Sequence, residues 1–206
     1  MISIAIFASG SGTNAQKIME HFDNHPAIRI TLVLSNKPDA PVLLRAANFF
    51  IPTHVFSRQD FYETNEVISQ LIDQQIDYIV LAGFLWLVPV SLIRAFPGRI
   101  VNIHPALLPK FGGKGMYGMR VHEAVVAGNE PETGITIHLA DEEYDRGEIL
   151  FQARCAVQPT DTPETVAHKV HALEHAHFAA VIERWITDLT PGPSAIKRGV
   201  KNVLGK

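Results

Sequence analysis

An α/β fold, a mostly parallel open sheet of Rossmann-like type with helices on both faces, is what this sequence predicts, and three observations predict it. Short apolar runs alternate with segments of helical periodicity along nearly the whole chain. Several of those runs, such as Ile79-Val80-Leu81-Ala82, are apolar at every position, which suits strands covered by helices on both sides. No linker, internal repeat or low-complexity stretch divides the chain, so one domain spanning 1–189 is expected, with 190–206 as a tail.

The elements follow in order. Met1-Ile2-Ser3-Ile4-Ala5-Ile6-Phe7 lacks the basic and long apolar regions of a signal peptide and reads as the start of a first strand, 3–8. A Gly-rich turn leads into a helix at 14–21. Strand 28–35, helix 42–48, strand 53–56, helix 60–75, strand 78–82 and helix 89–96 come next. Arg99-Ile100-Val101 opens a β-branched strand, 100–103, which Pro105 and Pro109 terminate by removing ladder donors. Helix 122–127, strands 134–139 and 149–156, and a long helix at 163–189 complete the list. The first five strands read as parallel and buried.

Composition narrows the class. A chain of 206 residues with 47% hydrophobic and 19% charged residues has ample material for a core and is typical of soluble globular proteins. A net charge of −3 gives no reason to expect nucleic acid or an anionic membrane as partner. The one basic cluster, Lys197-Arg198-Gly199-Val200-Lys201, reads as a solvated terminus. No apolar run reaches the ~20 residues that span a bilayer. Cys155 is the sole cysteine, which excludes an intrachain disulfide and points to a reducing compartment, the cytoplasm.

Five segments bear on chemistry. Ala8-Ser9-Gly10-Ser11-Gly12-Thr13-Asn14-Ala15 sets glycines and small hydroxyl residues between a strand and a helix, an arrangement that lets backbone N–H groups and the helix dipole meet a phosphate. The same residues match G-x-G-x-x-A, but a dinucleotide site needs an acid at the end of the second strand, where Leu34-Ser35-Asn36-Lys37 stands; a monophosphate fits better. Asn102-Ile103-His104-Pro105 leaves an amide and an imidazole at a strand's carboxyl end, where both can aim hydrogen bonds at a carbonyl oxygen gaining charge. Asp141-Glu142-Glu143-Tyr144-Asp145-Arg146-Gly147 is acidic enough to be solvated surface. If strand 134–139 lies beside the Asn-x-His strand, however, one of its carboxylates reaches His104 and favours the protonated imidazole. Asp141, Glu143 and Asp145 are equally eligible on this ground. His171-Ala172-Leu173-Glu174-His175 spells H-x-x-E-H, a zinc-peptidase motif, yet zinc would leave the Gly loop and Asn-x-His-Pro unexplained; Glu174 turned inward could instead recognise an amine. Leu85-Trp86-Leu87-Val88 could wall a flat aromatic ligand or simply be core.

Together, Ser9 through Asn14, Leu81-Ala82-Gly83-Phe84, Asn102 through Pro109, Gly134 through His138, Asp145-Arg146-Gly147 and Glu174-His175 resemble the phosphoribosylglycinamide formyltransferase family over nearly the whole chain. The resemblance implies transfer of a formyl group from 10-formyltetrahydrofolate to the amine of 5'-phosphoribosylglycinamide in purine synthesis, with no metal. By matched position, Gly12, Thr13 and Asn14 hold the phosphate, and Glu174 lies near the glycinamide end. Asn102 and His104 polarise the formyl oxygen, and Asp145 supports a protonated His104. The reduced folate contacts Leu85, Trp86, Leu87, Val88 and Asn102, with Glu142 in the acidic loop and Arg58 as further contacts. The family implies two small-molecule substrates and a monomer or homodimer.

Three departures stand out against the family pattern: Ala106 where Ser is common, Trp86 where a basic residue is often found, and a longer Gly-rich loop through residues 111–119, in which Lys114 is a candidate phosphate contact or a solvated lysine. The formyl-transfer core also occurs in methionyl-tRNA formyltransferase, sugar-amine formyltransferases and formyltetrahydrofolate deformylase. The first and last of these usually carry extra domains, which the length disfavours. A non-catalytic nucleotide-phosphate binder is the reading of another class; it needs the Gly loop but not the pairing of Asn102 with His104.

Overall fold

The computed structural model describes residues 1–189, and the basic cluster at 197–201 lies outside them. Seven strands form one sheet in the order β3-β2-β1-β4-β5-β6-β7. They are β1 (Ile2–Phe7), β2 (Ile28–Ser35), β3 (Thr53–Val55), β4 (Tyr78–Leu81), β5 (Ile100–His104), β6 (Glu132–Leu139) and β7 (Ile149–Ala156). The helices are α1 (Thr13–Phe22), α2 (Pro41–Asn48), α3 (Arg58–Tyr62), α4 (Glu66–Asp73), α5 (Val90–Ala95), α6 (Met119–Ala127) and α7 (Pro163–Leu189). β1 to β5 are parallel, as expected, and β6 and β7 add an antiparallel edge.

Strand alternation makes two cores. Ile4 and Ile6 face a layer that holds Ile18, Val42, Val125 and Val170, from α1, α2, α6 and α7, whereas Ala5 and Phe7 face Phe61, Leu71 and Leu92, from α3, α4 and α5. The chain leaves β1 toward β2 and β3 on one side and returns to β4 and β5 on the other. That reversal opens a crevice beyond the carboxyl ends of β1 and β4. Ser9 and Leu85 lace its floor: the Ser9 N–H donates to the Gly83 carbonyl at 3.1 Å, and the Leu85 N–H donates to the Ser9 hydroxyl at 3.1 Å.

One expected helix is two. Instead of a continuous helix over 60–75, Ser57 and Asp60 form a capping box that starts α3 at Arg58. The Thr64 hydroxyl then donates to the Asp60 carbonyl at 3.2 Å and accepts from the Glu66 N–H at 3.3 Å. A side chain that satisfies the backbone locally competes with helix propagation, and the chain breaks between α3 and α4. Another departure is small: α6 begins at Met119, three residues ahead of the expected start.

β6 and β7 approach closely at Gly134, where an added Cβ would collide with the Ala153 carbonyl oxygen of the neighbouring strand. Gly134→Ala is expected to lower unfolding free energy by about 3 kcal/mol, because backbone rather than a flexible side chain must move. Urea unfolding of the variant beside the unmodified protein measures it.

Candidate functional site

A cleft of about 510 Å³ occupies the crevice, a volume suited to small-molecule ligands. Among the residues lining it are Gly12, Asn14, Trp86, His104, Asp145 and Glu174. The phosphate-loop candidates, the Asn-x-His strand end, the acidic loop and the long helix therefore meet in one place.

At one end lies the turn from β1 into α1. Gly12 has φ 72°, and a Cβ there would fall 2.5 Å from Val42 of α2. Glycine is needed on both counts. α1 starts without a side-chain cap and without an acidic residue in its first turn, so its leading N–H groups and dipole stay available to an anion. Arg45 supports the turn from behind, its Nε donating to the Ser11 carbonyl at 2.7 Å. Lys37 also lines the cleft, whereas Lys114 lies outside the lining. From α7, Glu174 reaches the same end, 6% exposed, and accepts from Asn14 Nδ2 at 2.9 Å. Burial pushes its carboxyl above the usual 4.5, against the opposing pull of Asn14 and His171.

Asn102, His104, His138 and Asp145 form the middle. β5 and β6 pair with Asn102 opposite His138. The Leu139 carbonyl accepts from His138 Nδ1 at 2.8 Å, and His138 Nε2 lies 3.1 Å from Asn102 Nδ2. His104, 3% exposed, donates from Nε2 to the Phe111 carbonyl at 2.8 Å and turns Nδ1 toward Asp145 Oδ2 at 3.5 Å. The other Asp145 oxygen is 3.6 Å from His138 Nε2, and the Gly113 N–H donates to Oδ2 at 2.9 Å. One carboxylate thus faces two imidazoles. Phe111 and Asp145 both hold left-handed backbone, φ 56° and 57°. Strain of this kind gathers where surrounding structure fixes a functional group.

Electrostatics refine an expectation. Burial pulls the His104 imidazole below its ordinary 6.5, and the upward pull of Asp145 and of the Phe111 carbonyl does not overcome it. Asp145 therefore pulls toward the imidazolium, but the resting ring is neutral near pH 7. Burial pushes Asp145 upward too, yet His138, His104 and the Gly113 N–H together hold it below 3.8. It is an anion poised beside a ring that lacks only a proton.

The choice among acids is now made by geometry. Asp141 accepts from the Glu143 N–H at 3.0 Å, and Glu143 pairs with Arg146 at 3.0 Å, leaving Asp145 as the one that reaches His104. Two expected folate contacts stand elsewhere. Glu142 does not line the cleft and sits 3.7 Å from Arg94, because its turn of the loop faces α5. Arg58 is also outside the lining, its guanidinium 4.8 Å above the Tyr62 ring and 5.8 Å from the Trp86 ring. Leu85, Trp86, Leu87 and Val88 do form a wall, and Tyr62 braces it by donating to the Leu87 carbonyl at 2.8 Å.

Sequence reasoning gave no role to His138 or Thr136. The buried Thr136 hydroxyl donates to the Ala106 carbonyl at 2.7 Å and accepts from the Leu108 N–H at 3.0 Å, anchoring the loop after His104. Spacing along β6 offered the signal: Thr136 and His138 share a face, and antiparallel pairing sets them opposite His104 and Asn102. The H-x-x-E-H helix is divided as well. His171 and Glu174 line the cleft, while His175 lies in the field of Lys17 and Glu20 on α1. Among the described residues no cluster of three or more His, Cys, Asp or Glu could hold a metal ion, and no helix is long and apolar enough to cross a membrane.

Known proteins resemble this chain in sequence and fold. The phosphoribosylglycinamide formyltransferase of Haemophilus influenzae is 38% identical over 194 residues, covering 91% of this chain and 88% of that protein. The chloroplastic phosphoribosylglycinamide formyltransferase of Arabidopsis thaliana is 42% identical over 185 residues; the match covers 87% of this chain but 63% of that longer protein, less than two thirds of its length. The crystal structure of phosphoribosylglycinamide formyltransferase from Bacillus halodurans superposes with a TM-score of 0.82 at 36% identity, over 91% of this chain and 97% of that one. With the formyl transferase family matched continuously over residues 2–182, the chain belongs to that family.

Proposed function

We propose that this chain transfers the formyl group of 10-formyltetrahydrofolate to the amine of 5'-phosphoribosylglycinamide. The observation that carries the proposal is the joining, in one cleft, of a phosphate-accepting helix start with the Asn102, His104 and Asp145 constellation. The helix start at Gly12, Thr13 and Asn14 takes the phosphate, and Glu174, hydrogen-bonded to Asn14, faces the adjoining part of the ribonucleotide on its glycinamide side. The apolar wall of Leu85, Trp86, Leu87 and Val88 suits the flat ring system of a reduced folate, whose formyl group then lies against Asn102 and His104.

The chemistry follows from the hydrogen bonds. The neutral glycyl amine attacks the formyl carbon, forming a C–N bond and placing negative charge on the formyl oxygen. Asn102 and His104 donate to that oxygen, the ring exchanging its contact with the Phe111 carbonyl for the stronger, charged acceptor. His104 Nδ1, facing Asp145, accepts the proton that the attacking nitrogen loses; the carboxylate and the new oxyanion both raise its basicity at that moment. The proton passes to the folate N10, the bond from carbon to N10 breaks, and tetrahydrofolate leaves. His138 holds the Asn102 amide in the orientation this requires. The reaction needs two small-molecule substrates and no metal, and a protein with a single cysteine suits the reducing cytoplasm.

Purified protein incubated with both substrates tests the proposal. Formation of tetrahydrofolate that depends on the ribonucleotide supports it, and folate release in water alone, unaffected by the ribonucleotide, points to a deformylase. Within the same reading, Trp86→Ala is expected to weaken reduced-folate binding by roughly tenfold and leave ribonucleotide binding unchanged, as loss of one aromatic wall would. Fluorescence or calorimetric titration of each ligand separates the two effects.

A further inference from the structure

His122 has no part in the mechanism above, and its surroundings are unusual. It lies in the first turn of α6, is 2% exposed and lines the cleft. Its Nδ1 is buried and has no hydrogen-bond partner. Buried polar atoms are almost always paired, and an unpaired nitrogen in a ligand cleft suggests that the ligand supplies the partner. Burial first, then the nearby His171 and His104 imidazoles, push its pKa down to about 4. At neutral pH it is therefore an uncharged hydrogen-bonding group.

Its position says which part of the ligand it meets. The His171 ring stands edge-on at 6.3 Å, and His171 is one helical turn before Glu174 on α7. The reacting ring, His104, lines the same cleft. His122 thus shares the cleft with the group-transfer centre and with the pairing of Asn14 with Glu174. On the reading under Proposed function, the segment of substrate bridging those points is the glycinamide, which carries more N–H donors than acceptors. We infer that His122 positions the ribonucleotide, its Nδ1 accepting a hydrogen bond from an N–H of the glycinamide.

Calorimetric titration of 5'-phosphoribosylglycinamide and of a reduced folate into the intact protein, H122F and H122N tests this. Phe keeps the ring's volume without a nitrogen; Asn restores an acceptor near the Nδ1 position. H122F is expected to weaken ribonucleotide binding about tenfold, the worth of one ordinary hydrogen bond, with H122N within about threefold of the unmodified protein. Folate affinity stays unchanged in both. Should H122F fail to fold, H122Q replaces it with the same expectation, since its amide reaches the Nε2 position instead. Unchanged ribonucleotide binding in H122F overturns the inference, as does H122N binding no better than H122F, or an equal loss for folate. If the unmodified protein binds no ribonucleotide, the function reading fails first and this inference with it.

Discussion

His104→Ala is expected to lower formyl-transfer turnover by about 10³- to 10⁴-fold while ribonucleotide affinity stays within a few-fold of the unmodified protein. The variant removes at once a donor to the developing oxyanion and the group that moves the amine proton. Each such role alone contributes about 10²-fold or more. On the proposed reading the phosphate is held by the start of α1 rather than by His104, so affinity for the ribonucleotide is expected to be spared. The variant also leaves the Phe111 carbonyl and Asp145 each short of a partner. A thermal unfolding curve should accompany the kinetics, and a folded, ribonucleotide-binding, inactive protein is the expected result. Retained turnover would remove His104 from the mechanism.

Asp145→Asn is expected to lower turnover at pH 7 by about 10²-fold, with a displacement of the pH profile that a purely structural lesion would not produce. In the unmodified protein burial lowers the His104 pKa, and Asp145 partly offsets it. Without the carboxylate charge the ring's pKa falls further. The acid limb of kcat/KM, set by protonation of the free protein's His104, therefore moves to lower pH. Stability shifts in a defined sense too. Asp145 has a folded-state pKa held below its ordinary 3.8, so its contribution is fully present above that value and lost as pH falls through the lower folded one. The Asn variant should accordingly lose stability at pH 7 and show less further loss below pH 4.

The parallel half of the sheet was legible because a central strand such as β4 is buried on both faces and apolar throughout, and because glycine and proline mark the exits. The expectation of burial fails at the edge strand β3, whose Thr53 and Val55 are exposed. The two halves of the candidate site were legible for a related reason: Gly12 in the turn after β1 and His104 at the end of β5 lie beyond the carboxyl edge of the sheet, where ligands bind in this fold class. What could not be read depends on pairing between distant segments. On residue chemistry alone, apart from the resemblance, Asp145 became distinguishable from Asp141 and Glu143 only with the path of the loop between β6 and β7. His138 acquired its role through the register that sets it opposite Asn102. The break after Tyr62 turned on one Thr64 hydroxyl competing with the backbone, a contest that helical periodicity does not register. Arg58, matched by position alone, rests over two aromatic rings instead of lining the cleft.

Following a carbon-13 formyl label through a single turnover tests the central claim most directly, with protein in excess over labelled 10-formyltetrahydrofolate and 5'-phosphoribosylglycinamide present. Label arriving on the glycyl nitrogen, one equivalent for each tetrahydrofolate released, is the predicted result, and the His104→Ala protein should leave the label on the folate. Label appearing as free formate, or remaining on the folate in the unmodified protein, would contradict the account.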